Sequence, residues 1–381
     1  MYTVTIKPQW TIRQSSGDAL APRVVTLLVA VHEHGSLSAA CQSLGVSYRH
    51  AWELVRQGEA LFGQALMVMS RGKGSVLTPL GERLVWADRR VAARLSPVLD
   101  SLASELGAEI EKVLSPGPAL LRIHASHGFA IQALHEMLSA AKVATELRYC
   151  SSLEALASLH NGGCDLAGFH VPLGEFQATT LAHYGPWLRP GAQKLIDVAT
   201  RHQGLMVAAG NPKKIYGLAD LARPGVRFIN RQAGSGTRFL LDLMLKQQAI
   251  APAAIHGYEQ CELTHAAVAA FVASDMADAG YGVETPARQF KLDFLPSQTE
   301  RYFLLCDDRS LATPAVQRML AVLGSDSFKA AVNALAGYQA AAAGRVLELA
   351  EAFETLPLKA SRRRKSLPSL SPAKGERPSG T

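Results

Sequence analysis

Apolar positions from Pro22 to Leu114 recur every three or four residues, the spacing that lines one face of a helix, and a short stretch at residues 66–77 interrupts them. The pattern predicts a helix from Pro22 to His34 stopped by Gly35, a second from Leu37 to Leu44, and a third running to about Phe62. Ser36 and Ser47 stand where a hydroxyl can accept an unbonded N–H of the second and third helices. Two short apolar runs flank Arg71-Gly72-Lys73-Gly74, which predicts a hairpin. Thr78-Pro79 then opens a long helix that reaches Leu114, broken or kinked at Ser96-Pro97. Ser115-Pro-Gly-Pro118 ends the helical pattern. Beyond Ala119, short apolar runs alternate with amphipathic helices: Leu121 to Ala125, Thr145 to Tyr149, Gly204 to Ala208, Val226 to Asn230, Asp278 to Gly282 and Tyr302 to Leu305. That alternation predicts a parallel α/β sheet.

Composition changes this picture in two places. The chain of 381 residues is 48% hydrophobic, so it can bury real cores, and at roughly 150 residues per domain it holds two or three domains. Its formal charge of +7 belongs almost wholly to the last 24 residues, Leu358 to Thr381, which carry seven basic groups and one acid. The net charge is therefore no argument for a basic folded surface, and a nucleic-acid role must rest on a local motif. The expected division is an extension at 1–21, a helical head at 22–114, a linker at 115–118, an α/β region at 119–357 and a basic disordered tail at 358–381. The five cysteines are scattered, never in a CxxC spacing, which fits a reducing compartment. With neither a leader-like N-terminus nor an 18-residue apolar run, the expectation is a cytoplasmic protein without a membrane partner.

Two helices joined by the tight turn Gly45-Val46 form a helix-turn-helix, whose second member enters a major groove. The face of that helix left outside offers Ser47, Tyr48, Arg49, His50, Glu53 and Arg56, while Ala51, Leu54, Val55 and Leu61 suit the buried face. Ser36 caps the preceding helix, and Arg71 and Lys73 at the hairpin tip, a wing, are placed to touch phosphates. The helix from Pro79 is longer than a small domain needs. Its apolar positions Leu84, Val85, Val91, Leu95, Val98, Leu99, Leu102, Leu106, Ile110 and Val113 make it a candidate dimer helix.

In the α/β region the informative segment is Asn230-Arg-Gln-Ala-Gly-Ser-Gly-Thr-Arg238. A strand ends at Asn230, a glycine-rich turn follows, and Thr237 or Arg238 opens a helix. Backbone N–H groups, the positive helix end, two hydroxyls and two guanidinium groups thus converge on one point, an anion site. No Lys-Ser/Thr follows the glycines, so this is not a Walker A loop, and the outer glycines of GxSxG are absent. Two further helix openings, Ala125-Ser-His-Gly128 and Glu262-Leu-Thr-His-Ala266, add candidates. The expected ligand set is Ser126, His127, Arg231, Ser235, Gly236, Thr237, Arg238, Thr264 and His265. For Ser126 and Thr264 plain capping is an equal reading, and for His127 and His265 a structural one.

Leu27 to Arg90, with Gly35-Ser-Leu-Ser-Ala-Ala-Cys41, Leu44-Gly-Val-Ser47 and Leu77-Thr-Pro-Leu-Gly-Glu-Arg83, resembles the winged helix-turn-helix of LysR-type and ModE-type bacterial regulators. Leu120 to about Pro357 is similar to the periplasmic-binding-protein-like ligand domain related to molybdate- and tungstate-binding proteins. The resemblance implies an N-terminal all-α winged helix-turn-helix with a long linker helix, then a C-terminal α/β two-lobed domain with chain crossovers near Ala208 and Leu295. It also implies a DNA-binding transcription regulator, a homodimer or homotetramer on double-stranded operator DNA, switched by a small oxyanion such as molybdate or tungstate, with no resident cofactor. Gly128-Phe129 departs from the acidic residue expected after the histidine, and the molybdate-binding β-barrel of true ModE regulators is absent. A small carboxylate such as formate therefore remains an alternative effector. Two other functions stay open: a regulator whose ligand domain is vestigial, and an enzyme on a two-lobed fold, although no paired carboxylates, metal cluster or Ser/His/Asp order stands out.

Overall fold

The computed structural model describes residues 4–70, 74–114 and 120–353. The basic tail, the Ser115-Pro-Gly-Pro118 linker and the hairpin tip with Arg71 and Lys73 lie outside the described residues. The head consists of α1 (Pro22–His34), α2 (Leu37–Leu44), α3 (Tyr48–Phe62), a two-stranded hairpin of β1 (Met67–Ser70) and β2 (Gly74–Leu77), and α4 (Pro79–Leu114). Ser36 accepts the Ala39 N–H and Ser47 the His50 N–H, the two caps the sequence predicts. Gly45 ends α2 at φ 64°, a left-handed conformation that glycine reaches without a Cβ clash. One core made by Val24, Leu27, Leu28, Leu37, Ala51, Val55 and Val85 holds the head together. The N-terminal segment joins it: Leu20 is buried in that core, and the Trp10 indole donates to Asp88 of α4.

Residues from Leu121 onward build β3 (Leu121–Ala125), α5 (Phe129–Ala140), β4 (Thr145–Tyr149), α6 (Ser152–His160), β5 (Leu166–Pro172) and α7 (Gln177–Tyr184). They continue with β6 (Gln193–Val207), β7 (Phe228–Arg231), α8 (Gly236–Gln247), β8 (Cys261–Glu262), α9 (His265–Ala273), β9 (Ala279–Val283), α10 (Glu284–Gln289) and β10 (Asp293–Asp307). The chain then adds α11 (Pro314–Gly324), α12 (Asp326–Asn333), β11 (Tyr338–Gln339) and β12 (Val346–Glu348). The strands run in the order β4-β3-β5-β10-β6-β9-β7-β8, with β11 and β12 both on β6.

This sheet is mixed, not parallel throughout as expected. β10 runs antiparallel to β5 and β6, and β6 antiparallel to β9. Two 15-residue strands, β6 and β10, pass side by side from one lobe to the other. The crossover therefore lies inside both strands, around Arg201 to Gln203 and Gln298 to Glu300, rather than near Ala208; the second expected crossover, Leu295, is close to the register shift at Pro296. The first lobe buries apolar residues on both sheet faces, one centred on Ile123, Leu134 and Met319, the other on Phe169, Tyr184 and Phe303. The second lobe does the same around Phe228, Leu241 and Tyr281 and around Ile229, Val268 and Ala287. No single helix among the described residues is long and apolar enough to cross a membrane.

Candidate functional sites: an exposed recognition helix and a buried anion cleft

On the head, α3 keeps Ala51, Leu54, Val55 and Leu61 inside and turns its polar face out. Arg49 is almost fully exposed, held loosely by Glu53 one turn on at 3.3 Å, and Arg56 is exposed as well. Tyr48 is exposed and packs edge-on against Trp52. His50 lies 4.0 Å from Glu53. Ser36 and Ser47 spend a lone pair on capping, but each hydroxyl retains its proton for an outside acceptor.

Between the lobes is a cleft of about 550 Å³. It brings together Ser126, His127, Arg231, Ser235, Gly236, Thr237 and His265 of the expected set. Apart from Arg231, the last residue of β7, these residues stand at the starts of α5, α8 and α9, and Ser151 and Ser152 add the start of α6. Helix starts present unbonded N–H groups and a partial positive charge, so the cleft collects the positive ends of four helices. They are not equal. Glu154 already folds back on the Ser151 N–H in a capping box, so α6 has less to offer an anion than α8, where Ser235 caps through the Arg238 N–H and the first-turn N–H groups of Gly236 and Thr237 have no intrahelical acceptor.

Arg231 decides the character of the site. Its Nη2 donates to the Leu263 carbonyl at 3.0 Å and its Nε to Gln232 at 3.2 Å, while Nη1 is buried without a partner. It makes no ion pair among the described residues, and only 6% of its surface is exposed. Burial first, and then the neighbouring Arg201, pull its pKa down from the ordinary guanidinium value to about 9, with Glu300 resisting. It is still a cation at neutral pH, and a buried cation with an idle donor calls for an anion.

Around it stand three histidines. Burial, then Arg231, pushes His127 down to about 4, and His265 and His170 lie well below their usual value for the same first reason, with Arg201 adding to both. All three are therefore neutral and able to donate one N–H each. His265 fits because Gly282 lies beneath it: a Cβ there would come within 2.8 Å of its Nδ1.

Two expected ligands point elsewhere. Arg238 turns along α8 to Asp242 at 3.1 Å and lies over the Tyr258 ring at 3.8 Å, fixing the loop rather than lining the cleft. Thr264 caps α9 through the Ala267 N–H and donates to the Ala93 carbonyl of α4 at 2.9 Å. The reading of Thr264 as a cap is thus the observed geometry.

Besides Ser151 and Ser152, the cleft holds Arg201 and His170, which sequence reasoning missed. Arg201, in the middle of β6, is buried and paired with Glu300 at 3.0 Å, and its Nη1 lies 3.8 Å from where a Cβ on Gly128 would stand. His170, in β5, stacks on Tyr302 at 4.2 Å and faces the Ser126 hydroxyl at 3.3 Å. A charged residue and a histidine inside strands that are otherwise buried were the available signal. Glu300 neutralises Arg201, and the Glu154 carboxylate also lines the cleft, so Arg231 is the lining guanidinium that has no ion-pair partner among the described residues.

Half of the chain, residues 134–324, matches the PBP superfamily domain, and residues 22–82 match the bacterial regulatory helix-turn-helix protein, lysR family. The protein YvgK of Bacillus subtilis (strain 168), itself uncharacterized, is 33% identical over 204 residues, which cover 52% of this chain and 64% of YvgK. An uncharacterized protein from the 5′ region of a 2Fe-2S ferredoxin gene of Clostridium pasteurianum is 33% identical over 109 residues, 28% of this chain and 96% of that protein. The molybdenum-pterin-binding protein MopB of Rhodobacter capsulatus is 31% identical over 107 residues, 27% of this chain and 40% of MopB. The chain therefore spans less than two thirds of YvgK and MopB. With an α/β cleft of this family and a helix-turn-helix of that one, the chain belongs to the PBP superfamily and carries a lysR-family regulatory helix-turn-helix at its N-terminal side.

Proposed function

We propose that the protein is a one-component transcription regulator whose α3 reads double-stranded operator DNA and whose cleft senses a small oxyanion, molybdate or tungstate in the first place and a small carboxylate such as formate in the second. It works as a homodimer or homotetramer, in the cytoplasm where its operator lies, and has no catalytic role. The observation that carries the effector is Arg231: a buried guanidinium with an unused Nη1, beside four helix starts and three neutral histidines. Tetrahedral and planar oxyanions both match this set, which supplies many neutral donors and one unpaired guanidinium. The partial similarity to a molybdenum-pterin-binding protein supports molybdate, and the single unpaired guanidinium supports formate. The α3 face with Ser47, Tyr48, Arg49, His50, Glu53 and Arg56 supplies base and phosphate contacts, with Ser36 beside it.

The test is a thermal-shift titration of the full chain with molybdate, tungstate, sulfate, phosphate, nitrate and formate. A ligand that binds the native state alone raises Tm by mass action, by about 2.7 kcal/mol of stability at a hundredfold excess over Kd. A saturable shift with one anion, lost in Arg231→Ala, is expected. No shift with any of them, while DNA is still bound, would leave the vestigial ligand domain as the reading.

A further inference from the structure

The cleft has a third wall. Pro97 and Val98 of α4 line it together with the two lobes. The same helix is fastened to both lobes on either side of those residues. Towards the second lobe, Arg94 makes a bidentate pair with the buried Glu262, with Nε at 2.8 and 2.7 Å from the two carboxylate oxygens. Glu262 adjoins Leu263, whose carbonyl holds Arg231. Towards the first lobe, the Ser101 and Ser104 hydroxyls accept the Tyr149 and Leu147 N–H groups of the edge strand β4 at 2.9 and 2.8 Å. Tyr149 in turn packs edge-on against His127 at 4.8 Å.

Between these fastenings the helix has a built-in weak point. Proline has no N–H, so Pro97 leaves the Ala93 carbonyl without its helical donor. The Thr264 hydroxyl takes that carbonyl, and Ser101 donates back to the Pro97 carbonyl at 2.7 Å. The backbone bond missing from α4 is thus replaced by a bond to the lobe that carries Arg231 and His265.

We propose that α4 is a structural part of the effector site, with Val98 a specificity-determining residue at its mouth, and that closure of the lobes on an anion is read directly as a change of α4 at Pro97. This rests on the oxyanion reading of the cleft. A change in the angle between lobes moves Glu262 and Thr264 relative to β4, and a helix tied to both must bend at Pro97 or release one tie. The head is the continuation of that helix, so no separate relay is needed.

The test uses the full chain with molybdate, tungstate and formate as probes, read by thermal shift and by amide hydrogen exchange across residues 93–104. Val98→Glu places a carboxylate at the cleft mouth and is expected to weaken binding by about tenfold or more through repulsion of the anion. Leu102→Glu, one turn further on the same helix and outside the cleft wall, is expected to bind as the wild type. The pair Ser101→Ala with Ser104→Ala is expected to keep Kd within about threefold, yet to lose the anion-dependent change in exchange at residues 93–104 seen in the wild type. If Val98→Glu binds like the wild type, or the wild-type helix exchanges identically with and without bound anion, the third wall is overturned while the oxyanion reading survives. If the wild type binds none of the probes, the oxyanion reading falls and this proposal with it.

Discussion

Arg231 shows how a single side chain sets the working range of a site. A guanidinium in water keeps its proton far into the alkaline range, but desolvation and Arg201 bring Arg231 to about 9. The cation is therefore fully present below that value and is lost as pH rises through it. Molybdate does not titrate in this interval, so the pH dependence of its binding reports the protein. Affinity measured by isothermal titration is expected to be level from neutral pH to about 8 and to fall by about tenfold per pH unit above 9, the slope of one lost proton. Affinity that stays level beyond pH 10 would remove Arg231 as the partner of the anion. The histidines do not disturb this window, because burial keeps all three below their ordinary value and hence neutral throughout it.

Among the elements, the head was the most legible from sequence, and the reason is local. Its helices carry their own caps in Ser36 and Ser47 and their own stops in Gly35 and Gly45, and one face of each is apolar, so no distant contact is needed to recognise them. The long strands β6 and β10 were only half visible. The pattern shows one apolar end of each, Gly204 to Ala208 and Tyr302 to Leu305, while Arg201, His202 and Gln203 in the middle of β6 break it, Arg201 because it lines the cleft. The same blindness hid Arg201 and His170. Conversely Arg238 looked like a ligand because it opens α8 after the glycine turn, and only the position of Asp242 one turn on and of Tyr258 across the loop diverts it.

For α3 the legible pattern gives a prediction at its own scale. Arg49 and Arg56 are exposed and, among the described residues, support no fold contact beyond the loose Glu53 pair, so replacing both by Ala should leave Tm within about a degree or two. On a fragment selected by the wild type from random duplex DNA, affinity in fluorescence anisotropy at fixed salt is expected to drop at least about tenfold. Unchanged affinity would take α3 out of the interface.

At the scale of the molecule, α4 presents two different faces. Arg94, Ser101 and Ser104 bind its inner face to the lobes of its own chain. Its outer face carries Leu95, Leu102, Leu106 and Val113, each at least 41% exposed and spaced to form one row. A row of leucines in water on a helix on the order of 50 Å long is costly for a monomer and suits the same row of a second copy. Two-fold pairing through α4 would also set two α3 helices apart for paired half-sites, as a helix-turn-helix dimer requires. Leu102→Asp with Leu106→Asp puts carboxylates in the middle of that row without touching the inner face. Light scattering on the eluting protein is expected to show the mass falling to that of one chain, and DNA affinity to fall with it because only one half-site is then engaged at a time. The anion-induced thermal shift is expected to persist, since the three walls of the cleft come from a single chain. A mass unchanged by the double substitution would place the contact between copies on another surface, and a lost thermal shift would mean that the second copy helps to build the cleft.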